Sequence, residues 1–288
     1  MVTMKNYSIL KNKSIITSIS IGGFDGMHKA HQELFKNLDS TGGILVIDGG
    51  YATLTPKSIR QEYTPLPIFY YPLQEIKHLN AEEFIAYLTN DFPKLNKIIV
   101  GYDFCFGTNR KYSIKDLKKL FKHEVKVVDE VSINNISVHS RIIRDYLKQG
   151  DIITSNLLLG KNYKIRGTHI KGQGLGSKSF VPTINLKVDE YLLPNEGVYI
   201  TKTTVNMIEY PSVSFLGHRV STDNTYAVET HILTSYTPKN VEKIDISFMD
   251  KIRNNEKFDT FEELKTQILL DIKRSKLFFD NMKTIAIN

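Results

Sequence analysis

Two histidines separated by two residues close the run Gly22-Gly23-Phe24-Asp25-Gly26-Met27-His28-Lys29-Ala30-His31. A short apolar stretch, Ile15 to Ile21, breaks at the two glycines, and the histidines open a helix-like segment, Gln32 to Asp39. Residues three apart share a helix face, so both imidazoles can point at one ligand. The N–H groups at a helix N-terminus add partial positive charge at the same place. Such a site suits a triphosphate under attack, because charge growing on the phosphates meets fixed donors. The same spacing also occurs in surface pairs and in half metal sites. With one cysteine and no third ligand nearby, a metal site is the weaker reading.

The elements that would position these residues are legible in the first half. Gly43 to Asp48 and Lys97 to Gly101 read as short buried strands, and Val125 to Val128 as another. Asn80 with Glu83 forms a capping-box pattern before the apolar stripe Phe84, Ile85 and Leu88. Ser113 starts a helix carrying Leu117, Leu120 and Phe121. Strands alternating with helices predict a parallel sheet with helices on its faces. Ligands collect beyond the carboxyl ends of such strands, where the Gly22 and Gly101 turns fall.

After helices around Arg141–Gln149 and Thr154–Leu159, with Gly150 and Gly160 as C-cap glycines, the pattern changes. Gly197 to Val205, Tyr226 to Leu233 and Val241 to Phe248 are β-rich runs separated by turn residues. They predict an antiparallel barrel or sandwich, closed by a helix started by Asp259 or Thr260 and carrying Phe261, Leu264, Ile268 and Leu269. The expected class is α/β, with domains 1–160 and 161–288. The glycine-rich run Gly172 to Ser179 fails as a nucleotide P-loop. Ser177 stands where glycine is required before Lys178, and Pro182 blocks the following helix.

The histidine decamer resembles the G-x-F-D-G-x-H-x-G-H signature of the bacterial FAD synthetase module, within the HxGH nucleotidyltransferase superfamily, with Ala30 in place of glycine. The resemblance implies a Rossmann-like nucleotidyltransferase domain that binds ATP through Gly22, Gly23, Phe24, Asp25 and Gly26, with His28 and His31 catalytic. Gly101-Tyr-Asp-Phe-Cys-Phe-Gly107 is similar to the family's G-E-D-F-x-F-G, with Tyr102 replacing Glu. It implies flavin binding by Asp103, Phe104, Phe106 and Gly107; without the resemblance it reads as a strand exit with two core aromatics. Val138 to Arg144 is similar to S-S-T-x-I-R, matching at Ser140, Ile143 and Arg144, with His139 and Arg141 departing. It implies a triphosphate clamp of Ser140, Arg141 and catalytic Arg144, since guanidinium is a bidentate phosphate donor.

Val181-Pro-Thr-Ile-Asn-Leu186 resembles the P-T-A-N motif of riboflavin kinases, Leu193 to Tyr199 their L-P-x-x-G-V-Y, and Val228-Glu-Thr-His231 their V-E-x-H. The closing helix also matches. These imply Mg²⁺ at Thr183 and Asn185, ATP at a flap with Gly172, Gly174 and Gly176, and Glu229 as catalytic base. The flap and the segment Phe215 to Ser221 depart from the family pattern, although Gly217 and Arg219 survive.

A chain of 288 residues holds two ordinary cores, and 41% hydrophobic with 24% charged residues describes a globular protein. No stretch suits a membrane span or a signal peptide. The single Cys105 excludes an internal disulfide and fits a reducing cytoplasm. The net charge of +7 suits ATP and flavin phosphates; the lysines are dispersed, so no nucleic-acid or membrane partner is expected. The sequence leaves the oligomeric state open. The resemblance implies a bifunctional riboflavin kinase/FAD synthetase using ATP and Mg²⁺, with riboflavin, FMN and FAD as substrates or products. The rival readings are a monofunctional FMN adenylyltransferase with a weak or inactive kinase-like domain, and a non-catalytic flavin or nucleic-acid binder.

Overall fold

The computed structural model describes residues 12–171, 181–221, 223–234 and 243–287. Contacts divide the chain into two compact units, Met1–Ser140 and Arg141–Asn288.

Five parallel strands form the first unit: β1 (Ser18–Gly22), β2 (Gly43–Asp48), β3 (Ile68–Pro72), β4 (Lys97–Gly101) and β5 (Glu124–Val128). Their spatial order is β3-β2-β1-β4-β5. Helix α1 (Lys29–Phe35) leads from β1 to β2, α2 (Leu73–Ile76) and α3 (Ala81–Asp91) from β3 to β4, and α4 (Ile114–Leu120) from β4 to β5. A small hairpin, β6 (Ser132–Ile133) and β7 (Ile136–Ser137), follows. Strands apolar on both sides need cover on both faces. Ile19, Ile21, Leu45, Ile98 and Val100 pack with Phe84, Leu88 and Leu117 in one cluster. Ile44, Val46 and Ile68 pack with Phe24 and Met27 in another.

The expected cap of α3 is present. Asn80 accepts the Glu83 N–H at 2.9 Å, and the Glu83 carboxylate accepts the Asn80 N–H at 2.8 Å. Two elements differ from expectation. Lys13–Ile15 is a 3-10 turn capped by Asn12, so β1 starts only at Ser18. Helix α1 begins one residue after His28 and stops at Phe35, where i-to-i+3 bonds to the Leu34 and Phe35 carbonyls tighten the chain into a turn.

In the second half, α5 (Ser140–Gln149) and α6 (Ile152–Leu159) each end at a left-handed glycine, Gly150 (φ +82°) and Gly160 (φ +74°). Six antiparallel strands then close a barrel: β8 (Lys164–Ile170), β9 (Ile184–Lys187), β10 (Gly197–Val205), β11 (Ile208–His218), β12 (Tyr226–Ile232) and β13 (Lys243–Asn254). The order around it is β10-β11-β12-β9-β8-β13. Helix α7 (Phe261–Ile287) follows, with Thr260 Oγ1 accepting the Glu263 N–H at 3.2 Å as its cap. Its Asp271 is buried and paired with Arg253 of β13 at 2.9 Å.

Five buried hydroxyls meet inside this barrel. Thr203 donates to Ser212 (2.8 Å) and Ser214 donates to Thr230 (2.9 Å). Thr201 lies 2.8 Å from Ser212 and 2.7 Å from Ser214, and Thr203 lies 2.8 Å from Thr230. Running every bond in one sense closes a ring in which each hydroxyl donates once and accepts once. No hydroxyl in it is left wanting, which is what lets polar groups sit in a core.

Candidate functional site

Strand β1 has β2 on one side and β4 on the other, so the chain reverses its direction of travel across the sheet between β1 and β4. The crevice at such a reversal lies beyond the strand ends, here Gly22 and Gly101. The turn after β1 carries Phe24 (φ +48°), Gly26 (φ +87°) and Met27 (φ +47°) in left-handed conformations. Bulky residues adopt these only when the surroundings impose them. Burial of Phe24 and Met27 beneath the sheet provides part of that imposition.

The segment 53–60 provides the rest. The Asp25 carboxylate accepts the N–H groups of Thr53 (3.1 Å), Leu54 (3.0 Å) and Thr55 (2.8 Å). The Gly26 N–H donates to Thr55 Oγ1 at 2.8 Å, and Arg60 Nε donates to the Phe24 carbonyl at 3.4 Å. Asp25 thus anchors the turn from below. This cradle is absent from the sequence reading, and only a threonine pair and one arginine in an otherwise unpatterned run hinted at it.

His28 is buried at the N-cap of α1, and its ring stacks on His31 with centroids 3.5 Å apart. Phe24 meets His31 edge-on at 5.1 Å. His28 Nε2 lies 3.2 Å from Ser140 Oγ, which donates its own proton to the Asp25 carbonyl at 2.8 Å. A hydroxyl has one proton to give, so the imidazole is the donor in this pair and carries its proton on Nε2. Gly23 is exposed at the mouth of the turn, and a methyl there would meet nothing within 4 Å. The crevice therefore has an open backbone edge beside two stacked imidazoles.

Beyond β4, Phe104 N–H closes a turn onto the Gly101 carbonyl at 3.1 Å. Asp103 is exposed, Phe104 is half-buried, and Gly107 takes φ +67°. Phe106 is buried against Phe84, Phe104 and Tyr112, so its ring belongs to the core of the sheet. Two of the departures from the expected motifs, Tyr102 and His139, meet each other. The Tyr102 hydroxyl lies 3.1 Å from His139 Nε2 and 3.2 Å from Glu130. Hydrogen bonds from Ser137 and Tyr102 hold the Glu130 carboxyl below the usual carboxylate range. Arg141 is exposed and Arg144 half-buried on α5, both within the second unit.

In the second unit a cavity of about 220 Å³ lies between barrel and α7. Val198, Val213 and Phe215 form one wall, and Leu264, Ile268 and Ile272 the other. At one end Thr183, Asn185, Arg219 and Glu229 converge. Strand periodicity places Thr183 and Asn185 on the same face, and Asn185 pairs directly across from Glu229. Arg219 joins them, donating from Nη2 to Asn185 Oδ1 at 2.8 Å and to Glu229 Oε1 at 2.5 Å. Arg219, retained in a segment that otherwise departs from the family pattern, is the contact of Glu229 that the sequence reading did not anticipate. A second, polar hollow shares Asn185 and Arg219 and extends to Lys171, Thr225 and Tyr226. Gly172, Gly174 and Gly176, expected at ATP, lie outside the described residues.

The chain matches the sequence model of the riboflavin kinase family over residues 159–279 and that of the FAD synthetase family over 69–142. The second match starts downstream of His28 and His31, whereas similarity to full-length relatives spans nearly the whole chain. A bifunctional riboflavin kinase/FMN adenylyltransferase of Buchnera aphidicola is 28% identical, with 96% of each chain covered. A protein of the same name from Listeria monocytogenes is 25% identical, over 92% of this chain and 93% of its own. A crystal structure named macrolide-efflux protein, from Streptococcus pneumoniae, superposes with a TM-score of 0.80 at 25% identity, covering 92% of this chain and 97% of that one. Among the described residues no helix is long and apolar enough to cross a membrane.

Proposed function

Because the chain belongs to the family of bifunctional riboflavin kinase/FMN adenylyltransferases, we propose that it phosphorylates riboflavin to FMN and adenylylates FMN to FAD, each with ATP. The assignment of adenylyl transfer to residues 1–160 and phosphorylation to 161–288, in a cytoplasmic setting, is part of the same proposal. The observation that carries it is the pairing of the His28–His31 stack at the reversal of a parallel sheet with an apolar barrel cavity ending in Asn185, Arg219 and Glu229.

In the first reaction an oxygen of the FMN phosphate attacks the α-phosphorus of ATP, and the bond from that phosphorus to the bridging oxygen of pyrophosphate breaks. No covalent enzyme intermediate is required. The chain supplies position and charge: Gly22 to Gly26 for the approach of the phosphates, and the Nε2–H of His28 with His31 for the charge that develops. Ser140 belongs to the same set through its hydrogen bond with His28, and the motif match proposes Arg141 and Arg144 as phosphate ligands. Asp103, Phe104, Phe106 and Gly107 form the loop on the flavin side, with half-buried Phe104 the ring available for contact.

In the second, the apolar walls receive the flavin ring. The ribityl hydroxyl gives its proton to Glu229 as its oxygen attacks the γ-phosphorus and ADP leaves. Glu229 first exchanges Arg219 for that hydroxyl, which leaves the guanidinium free to meet phosphate. Thr183 and, once Arg219 has left its Oδ1, Asn185 present neutral oxygens on one face, a donor set that would fit Mg²⁺. Bound there, the ion would neutralise charge on the phosphate being transferred. Among the described residues no cluster of three His, Cys, Asp or Glu competes for a metal.

The test incubates the protein with riboflavin, ATP and Mg²⁺, and in parallel with FMN, ATP and Mg²⁺, and separates the flavins by chromatography. The expected products are FMN and FAD in the first tube and FAD in the second. FAD from FMN alone would leave the barrel without kinase activity, and no product in either tube would overturn both assignments.

A further inference from the structure

The cradle beneath the histidine turn contains a feature that neither catalysis nor packing requires in so plain a form. Arg60, on the 3-10 segment Lys57–Tyr63, is only 2% exposed and is the largest of the fully buried side chains. Buried arginines normally sit against a carboxylate, since an uncompensated charge away from water is costly. Arg60 has none among the described residues. Its Nε donates to the Phe24 carbonyl at 3.4 Å and its Nη1 to the Lys57 carbonyl at 3.2 Å, while its guanidinium lies 5.9 Å from the centre of the Tyr70 ring. Guanidinium charge is permanent, so a full positive charge is held under the turn with only dipoles and a π-face around it.

The carbonyl it grips belongs to a residue in a left-handed conformation, two residues beyond Gly22 and four before His28. The nearby acid, Asp25, is committed to three backbone N–H groups of residues 53–55. The charge is therefore arranged to act on whatever occupies the crevice above. An anion there gains from it without the cost of desolvating the arginine, which folding has already met.

We propose that Arg60 is a positioning residue for adenylyl transfer: it fixes the Phe24 carbonyl, and with it the Gly22–His28 turn, and supplies the buried positive charge that the ATP polyphosphate completes. The proposal rests on the first-unit reading given above.

The test compares wild type with Arg60→Met, which fills the volume without charge, and Arg60→Lys, which keeps the charge without the planar fork. Replacing a buried ion by an apolar group of similar size often leaves stability unchanged. Arg60→Met is expected to raise KM for ATP in FAD formation about tenfold, the scale of one charge interaction in a partly desolvated site. Arg60→Lys is expected to stay within about threefold of wild type. Riboflavin phosphorylation by the same preparations should be unchanged, since Arg60 lies in the other unit. Unaltered KM in Arg60→Met overturns the proposal, as does equal impairment of the Met and Lys variants. If Arg60→Met does not fold, Arg60→Gln keeps a donor to Phe24 without the charge and carries the same comparison. Absence of FAD formation by wild type would instead overturn the parent reading.

Discussion

Ser140 and His28 are joined by a hydrogen bond whose direction is fixed: the imidazole Nε2 donates to a hydroxyl whose own proton goes to the Asp25 carbonyl, over 3.2 and 2.8 Å. One side chain from the start of α5 thereby sets both the tautomer of His28 and the path of the turn before it. Replacing Ser140 by Ala removes the acceptor and leaves the Asp25 carbonyl without its donor. The expected cost is about 1 kcal/mol of stability. FAD formation should fall roughly tenfold, the scale of one lost hydrogen bond in the site. Steady-state rates with FMN and ATP, beside a urea melt, check this; an unchanged rate would show that the tautomer is held by other means.

Gly23 separates ligand approach from folding. A methyl at this position meets no neighbour, and its φ is not in the left-handed range, so Gly23→Ala should melt within a degree or two of wild type. If phosphate passes close to this backbone, the same methyl should lower FAD formation tenfold or more, the effect of about 1.4 kcal/mol on the barrier. Melting temperature and rate are measured on one preparation. A variant with wild-type rate would place the phosphates elsewhere.

Asp271 ties α7 to the barrel. It accepts from Arg253 at 2.9 Å and from Gln267 at 2.9 Å, and both partners of the ion pair line the cavity. Asp271→Ala leaves Arg253 with the Asn254 carbonyl at 3.1 Å and the more distant Glu256 at 4.0 Å, so the break should cost about 3 kcal/mol, the lower end for a buried pair. KM for riboflavin should rise, because Leu264, Ile268 and Ile272 lose their fixed distance from the opposite wall. FAD formation from FMN should be retained. The double replacement Arg253→Met with Asp271→Leu should recover most of the stability; if it does not, the pair has a role beyond neutralisation.

Acid should loosen the barrel through Asp245. Burial raises its carboxyl, but the hydrogen bond from Arg166 and the charges of Lys164 and Arg166 outweigh burial and bring it below the usual range. Its folded value is thus depressed relative to the unfolded chain. The stabilisation is present above the ordinary carboxylate value near 3.8, and is lost as pH falls from there through the depressed folded value. Denaturant melts from about pH 5 to 2 should show this loss in wild type and a shallower slope in Asp245→Asn. Equal slopes would remove Asp245 as a source.

The parallel half was legible because its strands are short, apolar on both sides and punctuated by helix caps such as Asn80 and Ser113. Strand β11 was not, although it is long. Its inward positions include Ser212 and Ser214, so the alternation that normally marks a strand is inverted where the interior is polar. The histidine pair was legible as a motif, but the support of that motif was not. Asp25 reads as a ligand residue, and no local pattern announces that its carboxylate accepts the N–H groups of residues 53–55. Arg60 likewise gave no sign in the sequence that it would be buried without a carboxylate. Phe104 and Phe106 look equivalent in sequence, and only the packing of Phe84 and Tyr112 on the second separates them.

The hydroxyl ring makes the barrel intolerant of misalignment. Thr201 and Thr203 on β10, Ser212 and Ser214 on β11, and Thr230 on β12 are followed on the same inner face by Val205, Leu216 and Ile232, and preceded by Tyr199, Tyr210 and Val228. A strand displaced by one residue turns its hydroxyls outward, and one displaced by two brings an apolar group or a bulky phenol into the circle. Either error leaves several buried donors and acceptors orphaned at once, so the ring acts as a proofreading gauge for strand pairing.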